Sequence, residues 1–141
     1  MNSRFFLSII VTSFLAFFGG WLLFGIVFAD YYMSQASEVS KVLMKNPPEM
    51  WAIAIGNIAW VLLITCVLQK VGSLTFTKGF LTSLWISFLV MLMFDISIYA
   101  FWNIYKIEFL FVDIIVCSAF WGIMGGIAAI ILGSGKKIPY K

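Results

Sequence analysis

The chain of 141 residues contains no histidine, and only 11% of its residues are charged. The missing histidine excludes histidine-bearing metal sites, axial histidine ligands to haem and histidine general bases. Soluble domains carry roughly 25% charged residues. Because 63% of this chain is hydrophobic, it has too few polar side chains to cover a water-soluble fold. The composition predicts an integral membrane protein in a lipid bilayer, with no cofactor and no nucleic-acid partner.

Proline is scarce as well, and it marks the one long break between apolar runs. A helix needs about 20 apolar residues to cross a membrane, and four runs reach or approach that length. They cover residues 5–29, 50–68, 79–101 and 109–132. Pro47 and Pro48 end the outer loop of residues 30–49 and stop any helix before the second run. The later connections are short, which favours antiparallel neighbours. The expected fold is a single all-α domain, a four-helix antiparallel bundle in the membrane.

Lysine and arginine are distributed unequally between the two sides of this topology. Six of the nine lie on the side that holds both termini, namely Arg4, Lys70, Lys78, Lys136, Lys137 and Lys141. Lys41, Lys45 and Lys106 lie on the other side, called the outer side here. Because cytoplasmic loops are enriched in these residues, we expect cytoplasmic N- and C-termini and a location in the inner membrane of the cell.

The polar residues inside the runs gather near the outer side. Asn57 lies about 10 Å from the start of the second run, Asp95 about 12 Å from the end of the third, and Asp113 about 7 Å into the fourth, at 1.5 Å per helical residue. Asp30 ends the first run. Four runs therefore contribute one polar residue each at similar depth. Asp30 is expected to be solvated at the interface, and Asn57 to hydrogen-bond between helices.

The two aspartates within the runs, Asp95 and Asp113, are the candidate functional residues. A charged carboxylate in hydrocarbon costs roughly 3 kcal/mol, and no lysine or arginine lies within the runs to neutralise it. The available partners of Asp95 and Asp113 are each other, Asn57, Tyr99, Asn103, backbone groups, water or a bound cation. Two adjacent aspartates cannot both be ionised cheaply, so one should hold a proton near neutral pH. Three alternatives stay open: a proton, cation or ligand site, a polar clamp between helices, or a contact with a partner subunit.

Small residues form a second pattern, on the face of the fourth run opposite to Asp113. Small side chains spaced by about four residues allow helices in lipid to approach closely. The row consists of Ser118, Gly122, Gly125, Gly126, Ala129 and Gly133. We expect a helix-packing face rather than a pore lining, and Gly19, Gly20 and Gly25 of the first run are plausible partners.

Several segments resemble small bacterial four-helix membrane proteins that are classed as domains of unknown function. The segments are FFGGWLLFGIVFADYYM, NPPEMWAIAIGN, FDISIYAFWN and FLFVDIIVCSAFWG. The resemblance covers most of the chain. The two aspartates that members of those families carry correspond to Asp95 and Asp113 here. Relatives often have asparagine or threonine just after the first aspartate, whereas this chain has Ser97 and Tyr99. The resemblance implies the four-helix fold and the importance of both aspartates, and it implies no activity.

Two functions follow as expectations. The first is an outward-side polar cluster that binds or passes a proton, a cation or a small amphiphile, with transport requiring a homo-oligomer. The alternative is a structural or accessory subunit of a larger membrane assembly, with the aspartates as interhelical clamps. An enzyme is not expected, since the chain has no histidine, no arginine within the runs to bind phosphate and no recognisable nucleophile pair.

Overall fold

The computed structural model describes residues 3–134, and within that range the chain is helical and contains no strand. The helices are α1 (Ser3–Leu22), which continues as a π-helical segment (Leu23–Val27), α2 (Ala29–Gln35), α3 (Glu38–Leu43), α4 (Met50–Val71), α5 (Phe76–Phe101) and α6 (Ile107–Gly133). Three of the lysines used for the orientation, Lys136, Lys137 and Lys141, lie outside the described residues.

Four of these segments are long and apolar enough to cross a membrane. They are Ser3–Val27, Met50–Val71, Phe76–Phe101 and Ile107–Gly133. Large apolar side chains point away from the protein along them, including Ile10 at 67% and Phe111 at 66% exposure. In water this surface would be unfavourable, whereas in a bilayer it contacts lipid. The prediction of a multi-pass, all-α membrane bundle with four helices is confirmed.

The most extensive contact between helices joins α5 and α6. A methyl group added at Gly125 would overlap the side chain of Ser83, and one added at Gly79 would overlap Ala129. The two backbones therefore approach each other as closely as these small residues permit. This contact fixes the rotation of both helices about their axes.

The prediction that glycines of α1 face the glycine row of α6 was wrong. Gly125 faces Gly79 and Ser83 on α5, whereas Gly19 on α1 packs against the ring of Phe120. The other glycines of the row also meet α5 or the turn before it: Gly122 lies against Phe80 and Leu84, Gly126 against Phe76, and Gly133 against Leu74. Glycine spacing indicated a close helix contact, but it did not identify the helix on the other side.

α1 and α4 complete the bundle beside α6. Ala16, Val61, Phe120 and Met124 form one buried cluster between these three helices. The hydroxyl of Ser8 on α1 donates a hydrogen bond to the carbonyl of Ala128 on α6 at 3.1 Å. α4 and α5 touch little, although only a short turn at Gly72, with φ of 71°, separates them. α6 is therefore the central helix of the bundle.

The outer loop is partly helical and folds back onto the α5–α6 connection. Its short helix α3 begins after Ser37, whose hydroxyl accepts a hydrogen bond from the backbone N–H of Ser40 at 3.1 Å. The backbone N–H of Ser37 donates to the carbonyl of Ile104 at 2.8 Å, and that of Lys106 donates to Gln35 at 3.2 Å. These two bonds hold the end of α2 over the outer ends of α5 and α6.

Candidate functional site

Asp95 of α5 and Asp113 of α6 lie side by side beneath this outer segment. Asp95 is 9% exposed and Asp113 is 8% exposed, and their carboxyl groups are close enough to interact with each other. Asp95 continues the buried face of α5 that begins with Gly79, Ser83 and Ser87. Because that face packs tightly on α6, the helical repeat directs Asp95 toward the same neighbour.

Asp113 receives further hydrogen bonds that Asp95 does not. The phenol of Tyr32 on α2 donates to Oδ1 of Asp113. The thiol of Cys117, one turn along α6, donates to the same oxygen at 3.5 Å. By contrast, Oδ2 of Asp95 is buried and accepts no hydrogen bond from any described residue. The two carboxyl groups therefore occupy unequal positions.

Aromatic rings cover the pair on its outer side. The rings of Tyr32 and Phe109 meet edge to face with centroids 4.9 Å apart, and Tyr105 stacks on Phe109 at 4.1 Å. Burial raises the pKa of the Tyr32 phenol, and its hydrogen bond to Asp113 raises that pKa further. Burial, followed by the charge of Asp113, also raises the pKa of Tyr105. Both phenols are therefore protonated at neutral pH, and Tyr32 acts as a donor.

In the part of the chain that the structure describes, no positive side chain forms an ion pair with either aspartate. Within residues 3–134 the ion pairs are Lys41 with Glu38 at 2.7 Å and Lys45 with Glu49 at 3.1 Å, both in the outer loop. The same residues contain no group of three histidine, cysteine, aspartate or glutamate side chains arranged to hold a metal ion. A proton is the smallest species that can lower the charge here. On Oδ2 of Asp95 it would also convert an unpartnered acceptor into a donor.

The other predicted site residues lie elsewhere. Asn57 is half-buried on α4 and lines a separate cavity, and none of the hydrogen bonds among the described residues joins it to either aspartate. Tyr99 is 46% exposed and shares a surface pocket with Asn103, and Asp30 is exposed. The structure thus brings Asp95 and Asp113 together and leaves the other four outside their contact. Depth along each helix placed Asp30, Asn57, Asp95 and Asp113 at one level, but it did not determine which way each side chain points.

Tyr32 and Cys117 are the site residues that the sequence interpretation missed. Cys117 follows Asp113 by four residues, so it lies on the same face of α6. That spacing was a usable signal. Tyr32 lies in the outer loop, and its contact depends on the return of α2 over the bundle, which no helical periodicity encodes.

No protein-family model, no curated protein and no solved structure matches this chain. The resemblance to uncharacterised four-helix membrane families therefore stays a prediction, and the geometry of the site carries the functional argument.

Proposed function

We propose that this small multi-pass membrane protein takes up and releases a proton at the Asp95–Asp113 pair. The observation that carries the proposal is that two buried carboxyl groups lie together with no cationic partner among the described residues. Two negative charges in contact within a membrane helix bundle repel strongly, because the low dielectric weakens screening. One shared proton removes most of that repulsion.

The hydrogen bonds support a position for this proton on Asp95. Asp113 is the acceptor of the pair, since Tyr32 and Cys117 both donate to its Oδ1. Hydrogen bonds to a carboxylate favour its charged form. Asp95 then carries the proton and donates it toward Asp113, which gives the buried Oδ2 or its neighbouring oxygen a partner. The protonated pair holds one negative charge, stabilised by three donors.

Loss of the proton would act on the segment that covers the site. With both carboxyl groups ionised, repulsion opposes the close packing of α5 on α6, and water becomes the best available donor. Water reaches the pair most directly if Tyr32 leaves Asp113 and the end of α2 lifts. We therefore propose that proton release is coupled to opening of the outer segment. The outer, non-cytoplasmic placement of this segment, the cytoplasmic termini and the inner-membrane location rest on the Lys and Arg distribution.

A proton-uptake titration of the purified protein tests the proposal. Asp95→Asn keeps a donor toward Asp113 but cannot ionise, so it should fold and lose one proton of uptake per chain near neutral pH. Asp30→Asn is the matched control, because it removes an exposed carboxyl outside the pair. Wild type and the control should show the same uptake near neutral pH. Proton uptake by Asp95→Asn that equals the uptake by wild type would overturn the proposal.

A structural role for the same contacts is the second candidate. The hydrogen bond from Tyr32 to Asp113 and the backbone bonds at Ser37 and Lys106 join the outer loop to the α5–α6 connection. In an accessory subunit of a larger assembly, these bonds would hold a docking surface in place. Unfolding of Asp95→Asn in detergent, together with purification from native membranes only in a larger complex, would favour this role. Isolation as one or two copies alone would count against it.

A further inference from the structure

A cavity lies between α1, α4 and α6, apart from the aspartates. It has a volume of about 310 Å³ and aromatic walls that include Trp21, Phe24, Phe120 and Trp121. It extends from Pro48, just outside the membrane-spanning part of α4, to Asn57, which lies about 10 Å along that helix at 1.5 Å per residue. Neither aspartate of the pair lines it.

The local structure of α1 shapes this cavity. The helix widens into its π-helical segment at Leu23–Val27 beside the cavity, and π-helical turns are frequent at functional sites. Gly25 lies in that segment, and a methyl group there would approach the Trp21 indole to 3.3 Å. Gly20 also lines the cavity, although a methyl group would meet its nearest neighbour, Phe120, only at 3.8 Å. Helix packing therefore does not require a glycine at position 20, and the missing side chain of Gly20 leaves part of the cavity open.

The lining restricts the chemistry of a ligand. No charged side chain lines the cavity, so a charged ligand would be left without a partner. Asn57 supplies an amide that can both donate and accept, and it has no hydrogen-bond partner among the described residues. In an apolar setting, a polar group without a partner is costly. A hydrocarbon chain would fit the walls but would leave this amide unpaired.

We propose that this cavity binds a neutral, flat ring that carries a carbonyl or hydroxyl group, of the quinone or phenol class, drawn from the bilayer. Aromatic walls pack well against flat rings, and Asn57 hydrogen-bonds the polar substituent. The volume is about twice that of an apolar cavity that holds one benzene, which is roughly 150 Å³. The cavity lies among three membrane-spanning helices and is partly open to its surroundings, so a ligand dissolved in the bilayer can reach it. This site is independent of the proton proposed at the aspartates.

Quenching of tryptophan fluorescence by menadione in lipid nanodiscs tests the site, since Trp21 and Trp121 line it. Wild type should show a saturable component above the linear collisional background. Asn57→Leu should weaken the saturable component about five- to tenfold, as expected for one lost hydrogen bond. Gly20→Ala should weaken it by filling part of the cavity. Gly56→Ala is the matched control, because a methyl group there meets nothing within 4 Å and Gly56 does not line the cavity.

Purely linear quenching in wild type would overturn the proposal, as would equal saturable quenching in Gly20→Ala and Gly56→Ala. A third contrary result would be saturable quenching by a chain-brominated phospholipid that menadione does not displace, because an acyl chain would then be the occupant. Gly20→Ala introduces no steric overlap and should fold. It therefore tests ligand binding in the cavity even if Asn57→Leu fails to fold.

Discussion

Asp95 and Asp113 carry the same functional group but differ in what surrounds it. Asp113 accepts from Tyr32 and Cys117, whereas Asp95 contacts the pair partner and leaves Oδ2 without a donor. The proposed roles of proton carrier for Asp95 and acceptor for Asp113 therefore rest on the neighbours of each side chain. Truncation of the two residues should have unequal consequences, because it leaves different numbers of polar groups without partners.

Asp113→Ala should destabilise the protein by about 1–2 kcal/mol more than Asp95→Ala, since it leaves two further donors unpaired in addition to the other aspartate. Unfolding by sodium dodecyl sulfate, followed by circular dichroism, measures the difference. Equal destabilisation by the two variants would contradict the assigned roles.

Tyr32 should titrate later than an ordinary tyrosine, whose pKa is about 10. Its folded-state pKa is raised by burial and by Asp113, so the folded chain favours the protonated phenol. The stability from this group is fully present below about pH 10 and is lost as the pH rises above that value. Tyrosinate absorbance should show a late-titrating fraction in wild type that shrinks by one tyrosine in Tyr32→Phe, while Tyr105, whose pKa is also raised, still titrates late. The variant should also lose about 1–2 kcal/mol of stability at neutral pH, and an unchanged alkaline titration in Tyr32→Phe would contradict the contact.

At the scale of helices, the α5–α6 contact sets the register that aligns the two aspartates. The sequence interpretation correctly predicted a close contact from the glycine row of α6, but placed Gly19, Gly20 and Gly25 opposite it. A row of small residues shows that another helix can approach closely, but any other helix that carries small residues could be the one that does so. The short connection between α5 and α6 was the better guide. The equally short turn at Gly72 joins helices that touch little, so loop length alone does not decide contacts either.

Gly125→Ala should disturb this contact, because the added methyl group would overlap Ser83. Overpacking of this kind costs about 1–3 kcal/mol. Gly56→Ala serves as control, since its methyl group meets open space, and it should be neutral or stabilise by up to about 1 kcal/mol through helix propensity. Detergent unfolding of both variants provides the comparison. Equal stability of Gly125→Ala and wild type would show that α5 and α6 do not pack as described.

At the scale of the whole molecule, composition and run length were enough to predict a four-helix membrane protein, because the hydrocarbon core dictates the length and polarity of each span. The pairing of Asp95 with Asp113 was also predictable as one of several combinations at a common depth. Tyr32 was not, because its position depends on the backbone bonds that fold the outer loop onto the α5–α6 connection. The sequence also did not predict that Asn57 and Tyr99 point away from the pair. The depth of a residue follows from its position along the helix, whereas the direction of its side chain depends on how that helix packs against all of its neighbours.

The most direct test of the central claim is the infrared absorption of protonated carboxyl groups during a pH titration of the membrane-embedded protein. Ordinary carboxyl groups are ionised at neutral pH, so a protonated C=O stretching band at that pH reports a carboxyl pair that retains its proton. We expect the band in wild type at neutral pH, its loss on alkalinisation, and its absence from Asp95→Asn. A wild-type spectrum with carboxylate bands alone at neutral pH, or a band of unchanged amplitude in Asp95→Asn, would contradict the account.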